Sequence, residues 1–162
     1  MYMSSGIELY LVAYAPSSPH RLMDMAKLAF SMSMVKAFVA IKPTGIAAQT
    51  GVPEVFRLAY KLDKRFLVFP RIQDVKELIN IDDALFLVHQ GDVQDVCSAV
   101  GQLGKRVALV VQSGETPFTK EDLSMGRPVR ISELDGYSSP NPVAEAAIAL
   151  FKLYSALYKG VC

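Results

Sequence analysis

The chain of 162 residues has no tryptophan, two cysteines and two histidines. Cys97 and Cys162 stand far apart and form no CxxC pair. That argues against a disulfide framework and for a reducing, cytoplasmic setting. His20 and His89 are isolated from each other and from the cysteines, so no metal-ligand spacing is visible and no metal is expected. Each histidine alone reads as a surface or satisfied loop residue. Charge is scarce: charged residues make up 20% and the net charge is +1. A binder working through a global basic field is excluded, so any nucleic-acid contact needs a local patch. No apolar run reaches membrane-spanning length, since residues 7–15 fall well short of about 20. No signal-peptide pattern surrounds them. Walker A and GxGxxG sequences are both missing, which removes the main sequence support for the commonest triphosphate and dinucleotide folds.

What is present is apolar and regularly spaced. Hydrophobic residues make up 51%, enough for a sizeable core in one domain spanning residues 1–162. Short apolar runs at 7–15, 37–41, 66–69, 84–88, 107–111 and 129–131 read as strands. Between them, helical spacing marks segments at 19–34, from 53, from 73, from 93 and over 143–158. Pro16 to Pro19 break the first strand and cap the first helix. Pro53 suits a first helical turn, with Val55, Leu58, Ala59 and Leu62 as its buried stripe. Val75, Leu78 and Ile79 are the inward residues of the next helix. Cys97 lies on the apolar stripe of the helix from 93 and belongs to the core, while Cys162 is a frayed terminal residue. Residues 46–51, IAAQTG, fit neither template. The alternation gives an α/β class: a mostly parallel sheet of about six strands with helices on both faces.

Two regions carry more than scaffold. The stretch 107–143 reads strand, polar loop, strand, polar loop, helix start, and loops at the carboxyl ends of parallel strands are where such sheets bind ligands. The last helix has few polar residues, among them Glu145, Lys152 and Lys159, seven apart on one stripe. Its apolar girth calls for a second partner surface, most simply another copy of the chain; packing between sheet and first helix is the alternative. On the helix from 53, Arg57, Lys61 and Lys64 share a face. With Lys42 they form a basic patch beside the 44–51 loop, or a solvated face held by Glu54 and Arg57.

Three stretches, in order, resemble the SPOUT superfamily of S-adenosylmethionine-dependent RNA methyltransferases. Residues 18–30, SPHRLMDMAKLAF, resemble its first motif, N-P-x-N-x-G-x-x-x-R-T-A. Residues 110–123, VVQSGETPFTKEDL, are similar to the second, a strand running into G-[SP]-E-G-x-G and an acidic helix start. Residues 129–132, VRIS, with 139–148, SPNPVAEAAI, resemble the strand-loop-helix S-L-N-V-S-V-A-A-A-I that ends these domains. The resemblance implies an α/β domain with a C-terminal trefoil knot, S-adenosylmethionine as cofactor, tRNA or rRNA as substrate, and a homodimer through the last helix. Ser113, Gly114 and Glu115 would line one side of the cofactor site, and Ile131, Ser132, Tyr137, Ser139 and Asn141 the other. Main-chain groups would read the adenine edge, with Gly114 and Gly136 allowing close backbone approach. Singly, these are ordinary turn residues.

Departures from the pattern bear on the chemistry. Arg21 stands at the motif's Asn and Lys27 at its Arg, while Thr116 and Pro117 replace the glycine-rich repeat. The resemblance makes Arg21 and Lys27 the candidates to orient the target, Glu115 a base or cofactor-orienting group, and Lys42, Gln49, Arg57 and Lys61 the RNA contacts. A non-catalytic nucleoside- or RNA-binding knot protein is the rival reading. The segment 46–54, IAAQTGVPE, resembles an archaeal subgroup sometimes labelled RecB-like nuclease, although no clustered Asp/Glu-x-Lys set accompanies it.

Overall fold

The computed structural model describes residues 6–134 and 141–162. Six strands form one sheet: β1 (Glu8–Tyr14), β2 (Val35–Ile41), β3 (Phe66–Phe69), β4 (Asp83–Leu87), β5 (Arg106–Gln112) and β6 (Arg127–Val129). Their order is β3-β2-β1-β5-β4-β6, and every neighbouring pair is parallel. The central strands are apolar on both faces because both faces are covered. Along β1 the side chains alternate. Leu9, Leu11 and Ala13 join one core, and Val12 and Tyr14 join the other. The edge strand β6 tolerates Pro128, which could not donate to an inner ladder.

The larger core lies under α1 (Pro19–Ser31), α2 (Val52–Leu62) and α5 (Pro142–Tyr154). The opposite face is covered by α3 (Ile72–Ile79) and the short α4 (Lys120–Ser124). Caps explain where these helices begin. Ser18 caps α1 with Pro19 at its first position, Thr119 and Asp122 form a capping box on α4, and Asn141 caps α5. Asp63 and Asn80 close α2 and α3 in the left-handed region.

Several expectations are corrected. The segment from 93 is no α-helix. Asp95 pairs in parallel with Arg130 and then caps a 3-10 turn, Val96–Gln102. Residues drawn into that bridge are unavailable to a helix, so the turn is short. Ala47–Gly51 winds as a π turn leading into α2. Leu78 is 71% exposed, and Ile72 takes the inward place on α3 instead. Leu62 likewise faces outward. Cys162 is not frayed: it is disulfide-bonded to Cys97, 65 residues away, with Cα atoms 5.6 Å apart. The π turn Ser155–Lys159 and a left-handed Gly160 fold the tail back over the 3-10 turn, a proximity that sequence spacing does not reveal.

Candidate functional site

Because all strands run one way, every loop that leaves a carboxyl end emerges on one edge of the sheet. The registers Leu87↔Val111 and Leu87↔Val129 set the loops after β4, β5 and β6 side by side. Tyr14↔Gln112 and Tyr14↔Ile41 bring the loops after β1 and β2 to the same edge. Ala15 and Lys42, just past β1 and β2, both hold φ at 49°, an uncommon backbone state for residues with side chains. The strand order reverses between β1 and β5, and there the chain approaches itself closely. A Cβ on Gly114 would lie 2.4 Å from the Ala15 carbonyl oxygen.

On the β4/β6 side lies a narrow cleft lined by Leu87, Val88, Ile131 and Leu134, with His89, Arg130 and Glu145 at its polar end. Its free volume is about 10 Å³, room for about one water molecule. The cleft is closed by a hydrogen bond between His89 Nε2 and Glu145 Oε1. The Glu145 side chain is almost fully buried. Burial pushes its carboxyl above the usual range, and the charge and hydrogen bond of His89 pull the other way. Ile131, expected from the sequence as a cofactor wall, lines this cleft and is buried.

The second polar cluster holds the loop after β6. Asp95 Oδ2 accepts from the Ser132 amide (2.9 Å), the Ser132 hydroxyl (2.5 Å) and Lys152 Nζ (2.7 Å). Its Oδ1 accepts from the Cys97 amide at 2.9 Å. Burial opposes ionisation of Asp95, but these donors outweigh it and hold the carboxyl at about 2. Lys152 also reaches Glu133 at 2.5 Å. On the opposite face of the sheet, Tyr14 donates to Asp122 at 2.6 Å. Burial and that carboxylate push the phenol well above its usual range.

The expected site residues fall into several groups. Ser113 is buried, with its hydroxyl donating to Val111 carbonyl oxygen at 3.0 Å. Gly114 is built into the β1–β5 contact, and Glu115 is exposed. The Asn141 side chain caps α5 by accepting from Val143 and Ala144 amides, and the Ser132 hydroxyl is held by Asp95. Tyr137, Ser139 and Gly136 lie outside the described residues. Arg21 and Lys27 are exposed on α1 but six positions apart, roughly 120° around the helix. They do not face one point. Lys42, Gln49, Arg57 and Lys61 are exposed near the β2 end and along α2.

Sequence reasoning missed Val88, His89, Leu134 and Glu145, and with them Asp95 and Lys152. One signal existed for His89: it directly follows a buried parallel strand, where ligand loops begin. Among the described residues, the group of potential metal-ligating side chains is Asp95, Cys97 and Cys162, with ligand atoms within 4.8 Å of one another. Its two sulfurs are already joined to each other, so neither offers a thiolate. No helix among the described residues is long and apolar enough to cross a membrane.

The fold has counterparts in known proteins. The structure is similar to a protein of Bordetella pertussis described as a probable methyltransferase, with a TM-score of 0.74 and 20% identity over 96% of this chain and 99% of that one. It is also similar to an AdoMet-bound rRNA methyltransferase from Sinorhizobium meliloti, with a TM-score of 0.72 and 13% identity over 97% of this chain and 62% of that one. At such identities the likeness is one of fold, and the fold is that of the SPOUT-type methyltransferases. In sequence, the chain is 33% identical over 149 residues to a protein of Aeropyrum pernix that carries a type II restriction enzyme name, ApeKORF2002P. That match covers 91% of this chain and 93% of the relative. A family profile described as RecB-family nuclease (DUF2122) matches residues 45–152. The chain thus belongs to the RecB-family nuclease (DUF2122) family, built on a SPOUT-type fold.

Proposed function

We propose that this protein binds S-adenosylmethionine in the cleft at the ends of β4 and β6 and methylates RNA, a tRNA or rRNA segment. The observation that carries the reading is the cleft itself. Two carboxyl-end loops, after β4 and after β6, and the start of α5 converge on an apolar slot with a polar end, in a fold shared with an AdoMet-bound rRNA methyltransferase. Leu87, Val88, Ile131 and Leu134 suit the faces of an adenine ring, and Glu145, His89 and main-chain groups suit its polar attachments. When bound, the cofactor supplies an electrophilic methyl group. The slot is closed in this structure, so His89 must leave Glu145 for a nucleoside to enter. Asp95 and Lys152 hold Ser132 and with it the loop beyond β6. Arg21 orients the RNA, with Lys27 second, and Glu115 acts as the exposed base. The same reading carries the trefoil knot, the homodimer through α5 and a cytoplasmic setting.

The family name points to nuclease chemistry, but the donor set does not support it. Hard divalent cations of nucleases take clustered carboxylate oxygens. Among the described residues the one converging group contains a single carboxylate and two bonded sulfurs. A second reading, a non-catalytic nucleoside- or RNA-binding protein, is favoured by the separation of Arg21 and Lys27 on α1. Calorimetric titration with S-adenosylmethionine and S-adenosylhomocysteine tests the reading first. Absence of binding at millimolar ligand would sink it. Where binding occurs, labelled methyl transfer to bulk RNA separates enzyme from binder, and transfer unchanged by Arg21→Ala would remove that residue's role.

A further inference from the structure

A second, larger cleft lies on the other side of the β1–β5 junction. It measures about 370 Å³ and sits between the first turn of α1 and the π turn, within the range of about 300–1,000 Å³ of small-molecule sites. Pro19, Met23 and Ile46 give it apolar walls, while His20, Thr50 and Glu54 give it polar edges. We propose that this cleft receives one unpaired base of a single-stranded RNA segment whose flanking phosphates follow Arg57 and Lys61 along α2 and Lys64 just past its end. The inference rests on the RNA reading above and names where that RNA is held.

Three observations converge on it. First, the π turn builds the cleft. The Val52 amide reaches back five residues to the Ala47 carbonyl, and the Thr50 hydroxyl donates to the Ile46 carbonyl at 3.0 Å. Such turns carry one residue more than the α-helix and recur at functional sites. Gly51 seats the turn on α1: a Cβ there would lie 3.1 Å from Pro19 Cα and 3.3 Å from Leu22 Cδ2. The floor is thus a tight backbone contact, while Ile46 at the mouth is left 62% exposed. A large aliphatic side chain in water at the rim of a cleft suits the face of a planar ring.

Second, the cleft continues into a basic stripe. Arg57 and Lys61 stand three and seven positions after Glu54, on the same helix face. Lys61, Lys64 and Arg65 are all exposed. Glu54, already paired with Arg57 at 3.4 Å, and Asp63 are the acids of this stretch. The surplus is positive, as phosphates require. Third, Tyr60 is 90% exposed among those cations, three positions after Arg57 and four before Lys64. An aromatic ring held in water between basic side chains is a stacking platform for a neighbouring base. A base inside the cleft must leave its helical stack, which selects single strands over duplex.

Fluorescence anisotropy with labelled rA, rU and rC 12-mers, a paired rA/rU duplex and DNA 12-mers tests the proposal. At least one RNA 12-mer is expected to bind more tightly than its DNA counterpart and than the duplex. Ile46→Trp, which fills the cleft from an exposed position, should weaken that binding at least about tenfold. Lys61→Glu with Lys64→Glu should weaken it similarly and lower the salt slope by about 1.4, two phosphates' worth. Circular dichroism checks that the variants fold, and titration with S-adenosylmethionine should give the wild-type affinity in each. No RNA binding, equal binding of duplex or DNA, or binding indifferent to Ile46→Trp would overturn the proposal. Failure to bind S-adenosylmethionine with Ile46-dependent RNA binding intact would overturn the methyltransferase reading and leave this one standing.

Discussion

A methyl group added at Gly114 would meet the Ala15 carbonyl oxygen at 2.4 Å and Ser17 Oγ at 3.1 Å. The first neighbour is backbone, so relief requires the β1 and β5 loops to part. Gly114→Ala should therefore lower stability by about 2 kcal/mol, read as a drop in thermal midpoint. Gly101 has nothing within 4 Å of its absent Cβ, and Gly101→Ala should stay within about 0.5 kcal/mol. Equal shifts for the two would refute the assigned contact. His89 offers a second residue-scale test. Glu145 is buried with its pKa raised, so its contribution to stability is fully present below the unfolded value and is lost as pH rises through the folded one. His89→Ala removes the group that offsets this, at a cost of about 1–3 kcal/mol. That deficit should widen from pH 4 to pH 8 in denaturant titrations, and a deficit independent of pH would show that the pair does not matter. That Gly114 and Ile131 lie just past the carboxyl ends of strands was legible in the sequence, because short buried apolar runs precede them. His89 and Glu145 were not, because 56 residues separate partners that only the fold brings together.

At the scale of elements, α5 has its polar stripe facing inward. Glu145 holds the loop after β4, and Lys152 holds Asp95 and Glu133 beside the loop after β6. The sequence places those residues on one stripe, but helical spacing puts side chains on a face without saying what lies opposite. The strands fared better: β3 was legible to its ends, and the others to within a few residues, because continuous apolar runs have few alternatives between two helical layers. The 3-10 turn after β4 defeated periodicity, as its apolar residues obey helical spacing while its start is held by the Arg130 bridge. Asp95 is the hinge of this arrangement, and Asp95→Asn tests it. The carboxyl is held at about 2 against an ordinary 3.8, so its stabilisation is present above the unfolded value and is lost as pH falls toward 2. The variant should lose roughly 1–2 kcal/mol at pH 7 and converge with the wild type near pH 2. A constant gap across that window would mean that the ionised carboxylate is not what holds Ser132.

At the scale of the whole molecule, the outer face of α5 is what the fold leaves unfinished. Ala146, Ala149, Leu150 and Leu153 are buried against the sheet layer, but Ile148, Tyr154 and, at 61%, Phe151 face water. Phe151 and Tyr154 border a groove of about 320 Å³ with Met32 and Met34 from the turn after α1. This apolar girth was legible from the composition of 143–158 alone, although which residues stay outside required the packing of α5 on α1. Contiguous exposed apolar surface of this kind marks an interface, and a two-fold pairing of α5 faces would cover it with the same residues from both copies. Phe151→Glu places a charge at its centre without touching the cleft between β4 and β6. Light scattering should find a dimer for the wild type and a monomer for the variant. The wild-type melting temperature should rise with protein concentration while that of the variant does not, because association stabilises only the folded state. S-adenosylmethionine titration of the same variant then decides a further point: retained affinity makes the cleft complete within one chain, and lost affinity makes the second copy part of it. A wild type that is monomeric at micromolar concentration would remove the dimer from the reading and leave the exposed face of α5 to another partner.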